Sequence, residues 1–281
     1  MGRLSRVPRV LLFGVVAVYL LLPLTAIALY SLATSWTAHA LPDGYTLAHW
    51  QAAFTNARLL SALARTVLLA LAVLLLDSAL VVPAIFWQRV RNPKIRVVVE
   101  LSAAIPFVLP FIVIAFGILR LYGLIAPQLL GTPWLLLLGQ AAIAFPFLYW
   151  AVDGAMASIG VVELNEASQV LGASAWQTLW LVVIPQIGPG IATGGMLVFA
   201  LSFGEFALAQ ILVGARFETV SLYSLDLLAR ANADFSTLAV LTVLTIVILI
   251  LVSVIVVVLN RGTADRLLPS AHLARGETAG N

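Results

Sequence analysis

The sequence contains no cysteine and little charge. Without cysteine among 281 residues, disulfides and thiolate metal sites are excluded. Only 10% of the residues are charged, against about a quarter in soluble domains, and the mean hydropathy is +1.09. His39, His49 and His272 lie in polar segments without metal-ligand spacing, and no basic stripe with interleaved aromatic residues indicates nucleic acid. The composition therefore argues against a soluble domain, a metal centre or a nucleic-acid-binding protein.

Long apolar runs make up most of the chain. Runs of roughly 20 apolar residues are what a helix needs to cross a bilayer, and these runs do not alternate in polarity as barrel strands do. The sequence therefore predicts an all-α, polytopic membrane protein with six transmembrane helices. The predicted spans lie near Val10–Leu32, Leu63–Trp87, Val97–Leu119, Trp134–Val152, Ile187–Val213 and Phe235–Leu259.

Two tails flank this bundle. We expect a tail of residues 1–9, a membrane domain of residues 10–259 and a polar, poorly ordered tail of residues 260–281. The first apolar stretch is long and has no small-residue cleavage site, so it is interpreted as a retained span and not as a signal peptide. Ten of the 15 basic residues fall before the first span, after the second or after the sixth. Because short cytoplasmic loops carry the Lys/Arg excess, both termini are predicted to face the cytoplasm.

The segment of residues 154–186, between the fourth and fifth spans, has the sequence features of an ordered connection. Its stretch "ELNEASQVL" has good helix formers, and Leu164, Ala167 and Leu171 are spaced to share one helix face. Glu163 and Glu166 fall in the first turn, where the helix dipole favours carboxylates. The sequence predicts a short helix here, on the cytoplasmic side.

A sharp turn and a second helix are predicted to follow. Gly172 is a left-handed stop, Ser174 with Gln177 matches a capping box, and Pro185 is expected to interrupt the second helix. An element lying on the membrane surface is one interpretation, but such elements usually carry Lys or Arg to meet anionic lipid. The charged residues of this segment are all Glu, which the cytoplasmic leaflet repels, so a protein partner fits better.

These residues carry a family resemblance. Glu166-Ala167-Ser168, three residues, Gly172, nine residues and Val182-Val183-Ile184-Pro185 resembles the EAA loop of binding-protein-dependent ABC importer permeases, whose pattern is E-A-A, three residues, G, nine residues and I-x-L-P. The loop's place before the penultimate span matches too, and the resemblance covers effectively the whole chain. Ser168 replaces the second alanine, and Val161-Val162 stands where many relatives have a proline. The chain thus resembles the inner-membrane permease of a type I ABC importer, which implies the MetI-like fold.

The resemblance also implies a mechanism. In this family the loop is a coupling helix that docks on a separate ATPase subunit. Two such ATPases bind ATP and Mg²⁺, close, and swing two permeases from inward- to outward-facing, while an external binding protein delivers the solute. The chain has no G-x-x-x-x-G-K-[ST] segment, which agrees with a translocation subunit that is not an enzyme and binds no cofactor itself. The coupling positions implied by the match are Glu163, Glu166, Ala167, Ser168, Gly172, Ala173, Ser174 and Pro185.

Location, partner and solute follow from the same resemblance. It implies a multi-pass protein of the bacterial cytoplasmic membrane, paired with a second permease, which in this branch is more often homologous than identical. The segments "SFGEF" and "ETVSLYSL" look most like the branch that handles polyamines, aminoethylphosphonate, thiamine and ferric iron. A small cationic or zwitterionic solute is therefore expected.

Two carboxylates interrupt the apolar spans. Glu205, beside Gly204 in the fifth span, costs ~3 kcal/mol at mid-depth and should face the bundle interior or a cavity. It either lines the solute path or holds the bundle together by a hydrogen bond across helices. Asp77, in the second span, has the same two roles open to it, with the interior hydrogen bond favoured. Glu100 and Asp153 lie near the cytoplasmic ends of spans, where simple interfacial placement within reach of water is expected.

Prolines and glycines mark further positions in the spans. Four prolines are predicted to kink the helices: Pro83, Pro106, Pro110 and Pro146. Gly190-x-x-x-Gly194 permits close packing, either against a neighbouring helix or against a partner permease.

Three other functions compete with an importer permease. An intramembrane enzyme would need a paired nucleophile and base or a metal constellation, and the predicted spans contain no histidine or cysteine. A secondary transporter driven by an ion gradient through Glu205 and Asp77 leaves the ordered acidic loop unexplained. A membrane adaptor that transports nothing explains the loop but not the buried acids and kinked spans. Dependence of uptake on a separate ATPase distinguishes these alternatives.

Overall fold

The computed structural model describes residues 7–36, 39–230 and 234–267, which are helical apart from short connections. Each helix follows from an apolar run ended by a capping or breaking residue. The α-helices of these residues, in chain order, are α1 (Val7–Leu32), α2 (Ala48–Thr55), α3 (Ala57–Val90), α4 (Arg96–Val108), α5 (Phe111–Ile125), α6 (Pro133–Ser158), α7 (Val161–Val170), α8 (Ala175–Gln177), α9 (Ile184–Gly204), α10 (Ala207–Leu212), α11 (Val220–Ala229) and α12 (Phe235–Leu267).

Membrane-spanning length is reached by five helical segments of the described chain, and a bent pair makes a sixth. The five segments are Leu11–Leu32, Ala57–Val90, Pro133–Ser158, Ala175–Gly204 and Phe235–Val258. The bent pair combines the 3-10 turn and α4 (Pro93–Val108) with α5. The predicted all-α membrane fold with six spans is confirmed.

The third span is not the straight helix expected over Val97–Leu119. Its two halves meet at 110°. Leu109 and Pro110 are both extended, with ψ of 133° and 136°. Proline has no backbone N–H to continue the helix and disfavours helical geometry at the residue before it. The sharp break therefore follows from Pro110, whereas Pro83, Pro106 and Pro146 lie inside α3, α4 and α6.

The fifth span also differs from the expected Ile187–Val213. A continuous helical segment runs from Ala175 to Gly204, so the span begins twelve residues earlier. It ends where Glu205 turns extended, with φ −67° and ψ 131°. The remaining residues form the separate short helix α10. The predicted span is therefore divided at Glu205.

The two tails are described only in part. Residues 1–6 and 268–281 lie outside the described residues, and the predictions for them stay open. The expected poorly ordered tail from residue 260 is wrong in its first part, because α12 continues to Leu267. Likewise, residues 154–158 of the predicted loop complete α6, and residues 184–186 begin α9.

Helices α6 and α9 pack closely through small residues. A Cβ added at Gly190 would lie 2.5 Å from the Ala155 Cβ and 3.2 Å from the Ala151 carbonyl oxygen. One added at Gly194 would lie 2.8 Å from the Ala151 Cβ and 3.0 Å from the Leu148 Cα. The Gly190-x-x-x-Gly194 pattern therefore packs against a neighbouring helix of the same chain, as one of its two interpretations proposed.

The chain divides into two compact units. The larger unit, Leu63–Leu222 with Leu249–Asn281, contains a core with a continuous cluster of buried apolar side chains. Representative members from α3, α6 and α9 are Val73, Leu136, Leu148, Val152 and Val198. The coupling segment and the buried carboxylates discussed below all belong to this unit.

The smaller unit consists of Met1–Ala62 with Tyr223–Ile248. Polar contacts link these two stretches to each other. The Asn56 side chain caps α3 by accepting from the Arg58 and Leu59 amides at 3.0 and 3.2 Å, and it donates to the Tyr223 hydroxyl at 3.2 Å. Arg58 also pairs with Asp226 at 2.8 Å. These bonds fix the start of α3 against α11.

Candidate functional site

The turn between α7 and α8 has the geometry predicted for it. Gly172 adopts φ +85°, the left-handed region that favours glycine. Its amide donates to the Gln169 carbonyl at 2.9 Å, and the Ala173 amide donates to the Ser168 carbonyl at 3.0 Å. This is the Schellman pair of bonds that ends a helix. The direction of the chain after α7 is thus fixed by backbone bonds.

The second helix starts with the predicted capping box. The Ser174 amide donates to the Gln177 Oε1 at 2.8 Å, and the Gln177 amide donates to the Ser174 Oγ at 3.3 Å. With the Schellman pair just before it, this box leaves the turn hydrogen-bonded on both sides. The turn is therefore a stiff element joining α7 to the helical segment that becomes the fifth span.

Pro185 does not interrupt the second helix as expected. Six residues, Thr178–Val183, form a π-helical turn, in which the Ile184 amide donates to the Leu179 carbonyl. A proline ring clashes with the carbonyl four residues earlier, and a wider turn relieves this clash. The helix continues through Pro185 because the π turn absorbs the strain.

Helix α7 has one buried and one exposed face. Val161 and Asn165 are buried, and the Ser168 hydroxyl donates back to the Leu164 carbonyl at 2.8 Å. The other face, which we call the loop surface, is exposed and comprises Glu163, Glu166, Ala167, Val170 and Leu171. The last two are 87% and 88% exposed. Leu164 is half-buried, whereas Ala167 and Leu171 are exposed, so the three residues expected on one face differ in burial.

The start of α7 uses a glycine. Gly160 precedes the helix with φ +62°, in the left-handed region. Relatives are expected to have a proline near this point, where the present chain has Val161-Val162. A left-handed glycine is a different way to turn the chain from α6 into α7.

Glu205 caps a helix. Its carboxylate accepts from the Leu208 amide at 2.7 Å and from the Ala209 amide at 3.0 Å, and it is 6% exposed. The Gln140 side chain approaches the same carboxylate at 3.5 Å, and the Ser202 hydroxyl donates to Gln140 at 2.6 Å. Both oxygens of Glu205 are thus committed to polar groups of the bundle. Gly204, the last residue of α9, has no atom within 4 Å of an added Cβ.

Asp77 is in a different environment. It is 2% exposed, and its Oδ2 has no hydrogen-bond partner among the described residues. It lines a cavity of about 390 Å³ between α3, α4 and α6, whose other lining residues are apolar except Gln88 and Tyr149. The Gln88 amide donates to the Tyr149 hydroxyl at 3.3 Å. The interior hydrogen bond favoured for Asp77 is therefore not formed by its Oδ2 among the described residues. This oxygen is a free hydrogen-bond acceptor on a residue that lines the cavity.

Asp153 is buried, contrary to the expectation of simple interfacial placement. It is 8% exposed, and its Oδ1 accepts from the Arg89 Nε at 2.6 Å. Arg96 lies 3.8 Å from the other oxygen and pairs with Glu100 at 2.8 Å. The carboxylate is buried because two guanidinium groups replace water around it. This ion-pair cluster ties together α3, α4 and α6 and was not visible in the sequence.

Metal binding finds no support in the described ranges. No three His, Asp or Glu side chains of residues 7–36, 39–230 and 234–267 come together as ligands. The His49 Nε2 lies 3.0 Å from the Ala33 carbonyl oxygen, which gives this histidine a backbone contact.

The described chain is thus a polytopic helical bundle with carboxylates buried between its helices and a hydrogen-bonded turn after the exposed face of α7. The sequence matches the family described as "Binding-protein-dependent transport system inner membrane component" over residues 80–267. The chain belongs to this family and is an ABC importer permease of the inner membrane.

Related proteins carry different solute names. The chain is 28% identical over 236 residues to the "Putative 2-aminoethylphosphonate transport system permease protein PhnV" of Salmonella typhimurium, covering 82% of this chain and 88% of that protein. It is 27% identical over 210 residues to the "Sulfate transport system permease protein CysT" of Escherichia coli, covering 71% of each chain.

Solved structures agree in fold. A chain of the "bacterial alginate ABC transporter in complex with alginate pentasaccharide-bound periplasmic protein" superposes with a TM-score of 0.67 at 16% identity, covering 90% of this chain and 92% of that one. A chain of the "MetNI methionine ABC transporter" gives a TM-score of 0.59 at 16% identity, covering 74% and 99%. The MetI-like fold expected from the resemblance is thus confirmed.

Proposed function

We propose that this permease forms half of the solute path of an ATP-driven importer and couples to a separate ATPase through residues 163–185. The observation that carries this is the loop surface of α7, exposed outside the bundle and followed by a turn with both of its ends hydrogen-bonded. Glu163, Glu166, Ala167 and Ser168 belong to the docking helix, and Gly172, Ala173 and Ser174 set the angle at which it leaves. Pro185 lies in the first turn of α9, directly after the π turn.

The assembly has five further features in this proposal. Two ATPase subunits bind ATP and Mg²⁺, this chain binds no cofactor, and a second, homologous permease completes the path. An external binding protein delivers the solute, and both termini face the cytoplasm. The excess of Lys and Arg on the side of the termini supports this orientation.

A small cationic or zwitterionic solute fits the buried charges best. Asp77 presents an unpartnered carboxylate oxygen to the cavity between α3, α4 and α6. A carboxylate in low dielectric attracts an ammonium group and repels an oxyanion. The likeness to a 2-aminoethylphosphonate permease agrees with an amine-bearing solute, while the likeness to a sulfate permease does not. Asp77 is therefore proposed on the solute path, with Glu205 and Gly204 shaping its wall.

The ion-gradient alternative gains no support from the carboxylates. It would use Glu205 and Asp77 as coupling groups, but Glu205 accepts two backbone hydrogen bonds that fix the start of α10. Membership of the importer family favours transport driven by ATP over transport driven by an ion gradient.

Coupling is tested by co-purification with the ATPase in detergent. Glu166→Lys and Gly172→Arg should lose the ATPase, because the first reverses a charge on the loop surface and the second forces a side chain onto a left-handed backbone. Asp43→Lys, the same charge change at an exposed position between α1 and α2, is the matched control and should retain it. Equal retention by all variants would contradict the docking assignment.

The solute is tested by uptake in proteoliposomes that contain the whole transporter. Putrescine and 2-aminoethylphosphonate should compete for uptake, and sulfate should not. Asp77→Asn should lower uptake of the amines at least tenfold while leaving the ATPase bound. If uptake follows an ion gradient without ATP, the coupling proposal fails; if ATP drives uptake of sulfate alone, only the solute proposal fails.

A further inference from the structure

A groove at one end of the spans has walls that are apolar throughout. Its volume is about 430 Å³, and its walls include Pro83, Phe86 and Trp87 of α3, Ile95, and Trp176 and Leu179 of the fifth-span segment. We call this the Trp87–Trp176 groove. The two indoles are 57% and 60% exposed, although they are among the largest apolar side chains of the protein. Exposed tryptophan at a span end is typical of the membrane–water interface.

Two uncompensated positive charges lie at this groove. The connection from α3 to α4 carries Arg89, Arg91, Lys94 and Arg96. Arg89 and Arg96 are paired with carboxylates in the cluster around Asp153. Arg91 and Lys94 have no carboxylate within ion-pair distance in the described part of the chain, so two positive charges of this connection are left without an ion-pair partner.

These two charges are placed beside the groove walls. The Arg91 guanidinium lies over the Trp87 ring, 5.9 Å from its centroid. Lys94 is in the 3-10 turn Pro93–Ile95, whose last residue lines the groove. Arg91 and Lys94 therefore lie between Trp87 and Ile95 in the sequence, both of which line the apolar groove.

The groove walls belong to two helices that are long and apolar enough to cross a membrane. Pro83 and Trp87 belong to the helix Ala57–Val90, and Trp176 and Leu179 belong to the helical segment Ala175–Gly204. A lipid whose acyl chain contacts these walls and whose headgroup is anionic also meets the two free charges. We propose that the Trp87–Trp176 groove binds one anionic phospholipid, with an acyl chain between the two indoles and the phosphate on Arg91 and Lys94.

The expected preference follows from the two charges. Each basic residue near a membrane surface contributes about 1 kcal/mol, or about fivefold, to the binding of anionic lipid. Two such residues predict roughly 30-fold tighter binding of phosphatidylglycerol than of phosphatidylcholine with the same chains. Trp176 and Leu179 of this site lie within residues 163–185, the segment proposed to couple to the ATPase, but outside the loop surface of α7. The presence of the site does not depend on the transported solute.

The test is native mass spectrometry of the purified transporter, titrated with phosphatidylglycerol or phosphatidylcholine. The wild type should show the preference, and Arg91→Ala combined with Lys94→Ala should lose it. Arg120→Ala, which removes another exposed arginine, is the matched control and should keep it. Ala84→Trp, which fills the groove from its wall, should weaken the binding of both lipids.

Three results would overturn the proposal. One is the absence of any headgroup preference in the wild type. Another is a preference that survives loss of both Arg91 and Lys94, which would place the anionic lipid elsewhere. The third is capture of the ATPase by cross-linking from Trp87→Cys, in a chain with no other cysteine, since the groove would then be covered by protein.

Discussion

The contact between α6 and α9 makes a sharp prediction, because an added methyl group there has nowhere to go. In Gly190→Ala the new Cβ would lie 2.5 Å from the Ala155 Cβ, whereas carbons in contact prefer about 3.5–4.0 Å. The helices must separate by about 1 Å. Overpacking of this kind costs roughly 1–3 kcal/mol, and replacing glycine by alanine in a helix returns about 0.5–1 kcal/mol. The net loss of stability should be about 1–2 kcal/mol.

The matched control is on the same helix. An added Cβ at Gly188 has no atom within 4 Å, so Gly188→Ala should cause no clash. It should only raise the stability by about 0.5–1 kcal/mol, which is what alanine gains over glycine in a helix. The two variants should therefore differ by about 2 kcal/mol, or about 4–8 °C in melting temperature for a chain of this size. Thermal unfolding in detergent, followed by tryptophan fluorescence, measures this difference.

A compensating change completes the test. Ala155→Gly removes the methyl group that the new side chain would strike, so Gly190→Ala with Ala155→Gly should recover most of the loss. The two changes should couple by about 1 kcal/mol or more, as residues in direct contact do. If Gly190→Ala raises the melting temperature as much as Gly188→Ala does, the close packing inferred here is wrong.

Three further predictions concern single side chains. Gly172→Ala should cost about 1 kcal/mol in thermal unfolding through left-handed backbone strain alone, because no atom lies within 4 Å of the added Cβ. Asp153→Asn should cost about 3 kcal/mol, because it strands a mostly buried guanidinium, whereas Glu100→Gln in the exposed pair should cost under about 1 kcal/mol; equal losses would contradict the cluster. The Arg230 side chain, by hydrogen bonding, holds the pKa of Asp226 below its ordinary value of 3.8, with Arg58 adding to the effect. This stabilisation is present above pH 3.8 and is lost as the pH falls through the lower folded pKa, so the melting-temperature advantage of the wild type over Asp226→Asn should vanish there.

Local features were predictable from the sequence. The turn at Gly172 and the capping box at Ser174 are each decided by residues within four positions, and the structure has both. The apolar runs likewise predicted the spans, since length and composition decide which segments can cross a bilayer.

Features that depend on distant partners were not predictable. Asp153 is buried because Arg89, 64 residues away, reaches it, and no local pattern encodes that contact. Glu205 was recognised as a costly carboxylate, but the approach of Gln140, 65 residues away, is not encoded near it. Pro110 was recognised as a kink, but the size of the break, 110°, does not follow from the proline alone.

The fifth span, Ala175–Gly204, is one continuous helical segment that links the turn at Ser174 to the break at Glu205. Thirty helical residues extend about 45 Å at the usual rise, and one end of this rod is the hydrogen-bonded turn at Ser174. The other end is the break at Glu205, beside the start of α10. A tilt of about 10° around the turn would move Gly204 sideways by about 8 Å, which exceeds the helical pitch of about 5.4 Å. In the proposed importer, a small rocking of the helices before the span would therefore displace its far end by more than the width of a small solute.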